Sequence, residues 1–212
     1  MTNLMDAASS DIGLWQTVLA LSIYTIVTSI TPGPNNMMVL ASGVNFGVRR
    51  TVPHFLGISI GFAAMIVIVG MGLGTMFELY PALNIMLRWV GAAYLIYLAY
   101  KIARSDAPEK PDRTTGRPLG FLGAAAFQWV NPKAWVMALG AVAAYLPAHP
   151  SLLSVTAMAS LMAVINAPCV AVWAVFGVAL RRFLTKPAQL RTFNLTMAVL
   201  LVLSLYPIVL RS

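Results

Sequence analysis

Apolar residues fall into six long blocks separated by short polar stretches: about Leu14 to Val44, His54 to Phe77, Leu83 to Tyr100, Leu119 to Tyr145, Leu152 to Leu180 and Phe193 to Leu210. A helix of about 20 apolar residues crosses a hydrocarbon core of about 30 Å, so each block predicts a transmembrane helix. The first and fourth blocks are interrupted. Thr31-Pro32-Gly33-Pro34-Asn35-Asn36 lies inside the first, and Gln128-Trp129-Val130-Asn131-Pro132-Lys133 inside the fourth. Unbroken, the first block would make a helix of roughly 45 Å, longer than the core, which fits a kink, a tilt or a local unwinding.

Proline removes a backbone donor and blocks the carbonyl four residues before it. Pro32 is expected to free the Thr28 carbonyl, Pro34 that of Ile30 and Pro132 that of Gln128. In lipid such groups find no water, so a break of this kind survives only inside protein or against a wet cavity. Two interrupted apolar segments at matching places in two halves point to a transporter's binding site. Pro34 and Pro132 lie 98 residues apart.

The loop charges orient the helices. Arg49 and Arg50 follow the first block. Lys101, Arg104, Lys110, Arg113 and Arg117 follow the third. Arg181, Arg182, Lys186 and Arg191 follow the fifth. The other loops carry almost no basic residues, apart from Arg88 just inside the third block. Positive loops stay cytoplasmic, which predicts six spans with both termini periplasmic. The polar, acidic stretch Met1 to Asp11 lacks the basic start of a cleaved signal peptide, so the first block is expected to remain as a helix. Three spans end on the side opposite to their start, so a second set of three is inserted upside down. The predicted fold is an all-α membrane protein. Its single transporter domain, residues 1–212, has six transmembrane helices as two inverted three-helix repeats, about 13–104 and 118–211. The first and fourth helices are broken. Identity between the halves is weak, and the repeat rests on topology and on the placement of the breaks.

Composition narrows the function. Hydrophobic residues make up 59% and charged residues 9%, with mean hydropathy +0.81, which excludes a soluble or disordered chain. The net charge of +8 resides in short loops, so no nucleic-acid partner is implied; membrane lipid is. Cys169 is the only cysteine. It allows no internal disulfide or cysteine metal cluster, and a thiol-electron carrier would need a cysteine in each repeat. The spans hold no paired carboxylates, histidine cluster or nucleophile–base pair, so the chain is read as a non-enzyme with no catalytic residue and no cofactor. Side-chain metal ligands are scarce, which favours an organic substrate and assigns no metal site. A metal-ion or other small-solute exporter or channel of a related superfamily stays open as the alternative. The sequence leaves room for a homodimer.

The breaks supply the candidate chemistry. Pro34 suits the first position of an inner half-helix, with Gly33 before it. Pro132 suits that of an outer half-helix, with Asn131 as N-cap. Two helix N-termini would then face the membrane midplane and attract a carboxylate. The freed carbonyls of Thr28, Ile30 and Gln128 would suit an ammonium. Such a dipolar site matches a zwitterionic amino acid. The predicted substrate-binding residues are Thr31, Pro32, Gly33, Pro34, Asn35, Asn36, Gln128, Asn131, Pro132, Lys133 and Asn166. The bland alternative is that the prolines only kink helices for packing.

Lys133 is the one unambiguous charge near the middle of a span, and an intramembrane lysine is costly enough to suggest function. It can pair with a substrate carboxylate, give up its proton, or cap carbonyls of the broken helix. Asn166-Ala167-Pro168 forms a weaker break, pore-lining or packing. Gly57 and Gly61, then Gly70, Gly72 and Gly74, are read as close helix packing. His54 and His149 sit at span ends and are read as interfacial, with Trp15 and Trp89 in an aromatic belt. The 12 methionines are read as fillers of helix contacts.

Thr31-Pro32-Gly33-Pro34-Asn35-Asn36, Gly91-Ala92-Ala93-Tyr94-Leu95 and Asn131-Pro132-Lys133-Ala134 together resemble the lysine-exporter (LysE/RhtB) family of bacterial amino acid exporters, over essentially the whole chain. With Leu56-Gly57-Ile58-Ser59-Ile60-Gly61-Phe62, the wording is most similar to the cysteine/O-acetylserine exporter branch. The resemblance implies efflux across the inner membrane driven by the proton gradient, with a small neutral amino acid or derivative as substrate. Phe62 and its neighbours are apolar and Glu78 stands at the outer end of span two, so no buried carboxylate is available to neutralise a basic substrate. Proton coupling would then run through the substrate's own ionisation, Lys133 or Glu78, with Lys133 the choice.

Overall fold

The computed structural model describes residues 2–73, 81–104 and 117–204. Among them the chain is helical, without strands. The helices are α1 (Thr2–Ile30), α2 (Pro34–Phe46), α3 (Val48–Ile68), α4 (Pro81–Ala103), α5 (Phe121–Phe127), α6 (Pro132–Tyr145), α7 (Leu152–Arg181) and α8 (Pro187–Leu203). A π-helical turn, Val69–Leu73, extends α3, and a 3-10 turn, Gln128–Val130, extends α5. Gly13–Ile30, Val48–Gly72 and Leu152–Arg181 are long and apolar enough to cross a membrane, while Trp89–Ala103, Phe121–Val130 and Pro187–Leu203 are shorter apolar helices.

The two interruptions fall where the prolines place them. Helix α1 stops at Ile30, and after three intervening residues Pro34 opens α2 at a position whose N–H would lack a partner anyway. Gly47, at φ 79°, closes α2 and turns the chain into α3; its N–H donates to the Gly43 carbonyl at 3.0 Å. In the second interruption Asn131 leaves the helical region at φ −89°, ψ 109°, and Pro132 opens α6.

Glycines let these short halves lie close to long neighbours. A Cβ on Gly43 of α2 would strike the Ala174 backbone of α7, and one on Gly177 of α7 would strike the Leu40 carbonyl. A Cβ on Gly57 would strike the Phe121 carbonyl of α5, and one on Gly61 would lie 2.5 Å from the Ala125 Cα. The packing role expected of Gly57 and Gly61 is therefore met by backbone contact. Helix α3 is thus seated on the first half of the second broken helix, and α7 on both halves of the first. Met38, Met65, Met137, Met158, Met162 and Met197 are buried between helices.

Three expectations change. Span two begins at Val48 rather than His54, with Pro53 inside the helix. His54 is therefore not at a span end; it is 2% exposed and belongs to the core. Span five has no break: α7 runs through Pro168. One proline costs one ladder bond, and α7 is held before it by Ser59 of α3 at Asn166 and after it by the approach of Gly43 of α2 to Ala174. His149 is exposed in the turn before α7, and Trp15 and Trp89 are exposed on the outer surface. Glu78, Lys110, Arg113 and the end of block six lie outside the described residues, and so does the side chain of Arg88.

Candidate functional site

The two interruptions meet. The Lys133 side chain on the first turn of α6 reaches the end of α1, where Nζ donates to the Thr31 carbonyl at 2.7 Å, the Thr31 Oγ1 at 3.0 Å and the Pro32 carbonyl at 3.3 Å. Its stem lies across Gly33: a Cβ there would be 2.8 Å from the Lys133 Cδ. On the other side of the break, Asn35 Nδ2 donates to Gln128 Oε1 at 2.9 Å, and Gln128 Nε2 returns a bond to Asn35 Oδ1 at 3.2 Å. Gln128 is fully buried and also donates to the Ala124 carbonyl at 2.9 Å.

A second polar group closes the back of the site. Asn36 Nδ2 donates to the Ser29 and Thr31 carbonyls, each at 2.8 Å. With both hydrogens committed, Asn36 has only its oxygen to offer. Asn166 Nδ2 donates to Ser29 Oγ at 2.9 Å, and Ser59 Oγ donates to Asn166 Oδ1 at 2.8 Å, so α1, α3 and α7 are joined through one amide. Asn131 caps α6 by accepting from the Lys133 amide at 3.1 Å. The α2 N-terminus has no side-chain cap. The amides of Asn35 and Asn36 belong to its first turn, which the helix itself leaves without acceptors.

Between these groups lies a space of about 340 Å3, its open mouth included, lined by polar Thr28, Ser29, Asn35, Asn36, Gln128, Asn131, Lys133 and Asn166 and by apolar Ile58, Phe62, Met137 and Val170. The enclosed part has room for roughly one or two waters. Of the residues expected from sequence, Gly33, Asn35, Asn36, Gln128, Asn131, Lys133 and Asn166 line it. Thr31 and Pro32 do not; they hold the Lys133 ammonium. Pro34 and Pro132 start the half-helices.

The carbonyls expected to be free are taken. Thr28 accepts from Thr31 Oγ1 at 3.0 Å, Ile30 from Trp173 Nε1 at 3.2 Å, and Gln128 from the Asn131 amide at 3.2 Å. The carbonyls that face a cation are those of Thr31 and Pro32. The sequence singles out Thr28 for its carbonyl alone, and neither Ser29 nor Ser59 as a pocket residue. Hydroxyls in apolar helices commonly bond back to their own turn, as Ser22 and Thr25 do here, so nothing marked these three hydroxyls.

The LysE type translocator family model matches residues 26–204. The chain is 34% identical over 183 residues to the "Cysteine/O-acetylserine efflux protein" of Escherichia coli (strain K12), covering 84% of this chain and 90% of that protein. The same figures hold for the protein of that name from Shigella sonnei (strain Ss046). That of Escherichia coli O139:H28 (strain E24377A / ETEC) is 33% identical over the same length. No solved structure matches the chain.

Proposed function

The chain belongs to the LysE type translocator family, and from that premise we propose that it exports a small neutral amino acid or derivative across the bacterial inner membrane in exchange for protons. The substrate is of the cysteine, O-acetylserine, threonine or homoserine type, in keeping with the relatives named for cysteine and O-acetylserine. The observation that carries this reading is the meeting of Lys133 with the uncapped start of α2 across one polar pocket. A substrate carboxylate takes the place of the Thr31 and Pro32 carbonyls on the Lys133 ammonium and draws on the α2 amides. The substrate ammonium turns to the oxygens of Asn36 and its neighbours. The pocket has no carboxylate among its lining residues, which suits one net-neutral zwitterion over a basic amino acid. Ile58, Phe62, Met137 and Val170 leave a small apolar wall for a short side chain.

The transport domain is two inverted repeats of three spans with both termini periplasmic. Support comes from the loop charges and from the packing of each repeat's middle helix, α3 or α7, on the broken helix of the other. The test is counterflow in proteoliposomes loaded with one unlabelled amino acid and offered a labelled panel. Exchange of O-acetylserine, cysteine, threonine or homoserine, without exchange of lysine or arginine, is expected. Preference for the basic pair would overturn the substrate class, and no exchange of any amino acid would overturn the exporter reading.

A further inference from the structure

Among the described residues, the two ring nitrogens of His54 are the only buried side-chain polar atoms without a hydrogen-bond partner. Every other buried amide or hydroxyl in the core has found one, and an imidazole always carries at least one donor to satisfy. The ring lies in line with the pocket wall. His54, Ile58 and Phe62 are spaced by four along α3 and share a face. Ile58 and Phe62 line the pocket, so His54 lies one helical turn beyond its wall, toward the Gly47 turn. At that end Ser42 Oγ of α2 and Thr51 Oγ1 of α3 stand 2.8 Å apart, and Asn45 of α2 exchanges hydrogen bonds with Asn194 of α8 at 2.9 and 3.2 Å. Both bridges are buried, and Arg49 and Arg50 stand exposed just past them.

We propose that His54 is the proton-carrying group of the transport cycle, one turn on the cytoplasmic side of the substrate pocket. A proton arriving through the pocket from the periplasm binds one ring nitrogen to give the imidazolium. When the Ser42–Thr51 and Asn45–Asn194 bridges part, water reaches the ring and the proton leaves to the cytoplasm. Substrate then enters by the same opening. The elements packed on α3 leave few alternatives. Helices α2 and α5 carry no ionisable side chain, α7 carries Cys169 and the exposed Arg181, and α3 itself carries Arg49 and Arg50. Helix α6 carries Tyr145 and Lys133, and the Lys133 ammonium already has three oxygen partners that the substrate must displace. A histidine is the side chain whose ordinary range lets it exchange a proton near neutral pH. This inference rests on the exporter reading above.

The experiment uses the full-length protein in liposomes, with His54→Gln, which keeps polar atoms but carries no exchangeable charge. Two quantities are read with labelled O-acetylserine: counterflow without a gradient, and accumulation driven by an acidic interior. The expected result is that the variant exchanges at close to the native rate but accumulates no more than protein-free liposomes. A variant that accumulates like the native protein overturns the proposal. Native protein that exchanges but ignores the gradient also overturns it and leaves the exporter reading standing; native protein that does not exchange sinks both. Should His54→Gln fail to fold, the native ring is followed directly. The chain has 2 histidines, so isotope-labelled histidine in a His149→Gln background gives nitrogen NMR signals from His54 alone. Those signals should move with bulk pH between about 5 and 8 in the presence of O-acetylserine. Signals that stay fixed there overturn the proposal.

Discussion

Lys133 Nζ stands 2.7 Å from the Thr31 carbonyl oxygen, 102 residues away in sequence, so the second broken helix closes on the frayed end of the first. The ammonium is satisfied by three neutral oxygens and no carboxylate. A charge held in this way is readily handed to an anionic partner, because a charge-assisted bond to a carboxylate is stronger than one to a carbonyl. Lys133→Met should therefore weaken substrate binding by about 1.5–3 kcal/mol, with little change in thermal unfolding. Titration calorimetry on detergent-solubilised protein measures this, and native affinity in the variant would remove Lys133 from the site.

Gly33 gives a gentler test of the same contact. Its backbone, at φ 179° and ψ 176°, is extended and open to any residue. Gly33→Ala should fold normally yet push the Lys133 stem off its rotamer, at a cost of about 0.5–1.5 kcal/mol in ligand affinity. Equal melting temperatures with a shifted affinity are expected; an unchanged affinity would mean that the Lys133 stem moves freely.

The Asn35–Gln128 pair links the two breaks through side chains alone. Truncating Asn35 leaves the buried Gln128 short of a partner, and truncating Gln128 strips both bonds from the half-buried Asn35, so Asn35→Ala and Gln128→Ala should each cost about 1–3 kcal/mol of stability. The double variant should cost less than the sum by about 0.5–3 kcal/mol. Additive losses in a denaturation cycle would show that the two amides act independently. Asn35→Ala and Asn131→Ala, compared on substrate affinity, should likewise be non-additive if one ligand touches both.

Helix approach predicts a contrast between glycines. Gly43→Val must displace the Ala174 backbone, an overpacking cost of about 1–3 kcal/mol. Gly13→Ala meets nothing within 4 Å and should leave stability unchanged or slightly raised. Melting curves in detergent decide it; a tolerant position 43 would mean that α2 and α7 can separate without cost.

Orientation is checked at Ala148, just before α7, and at Arg49, at the start of α3. With Cys169 replaced by Ser, Ala148→Cys should react with an impermeant thiol reagent added to intact cells, and Arg49→Cys only after lysis. The reverse pattern would turn the whole arrangement over.

The helical class, the two proline breaks and most of the amides that line the pocket were legible because proline and charge act locally and leave few choices inside an apolar run. Lys133 could be singled out for the same reason. Its partners could not, since the Thr31 and Pro32 carbonyls are brought to it only by folding. The donors that occupy the Thr28, Ile30 and Gln128 carbonyls were hidden too, one being an indole 143 residues away from Ile30. His54 misled for a plainer reason. Arg49 and Arg50 read as loop, yet they form the first turn of α3, which moves His54 from the rim into the interior.

The three-residue link Thr31–Gly33 has a mechanical consequence. Helix α2 is clamped: its Gly43 lies on the α7 backbone, and Gly177 of α7 lies on its Leu40 carbonyl. Helix α1 is held at the same break by the Lys133, Asn36, Asn166 and Trp173 side chains. An extended link passes tension along the chain but no rotation about a helix axis. A swing of α1 against α2 would therefore work as a lever against a post, with the Lys133 ammonium at the fulcrum.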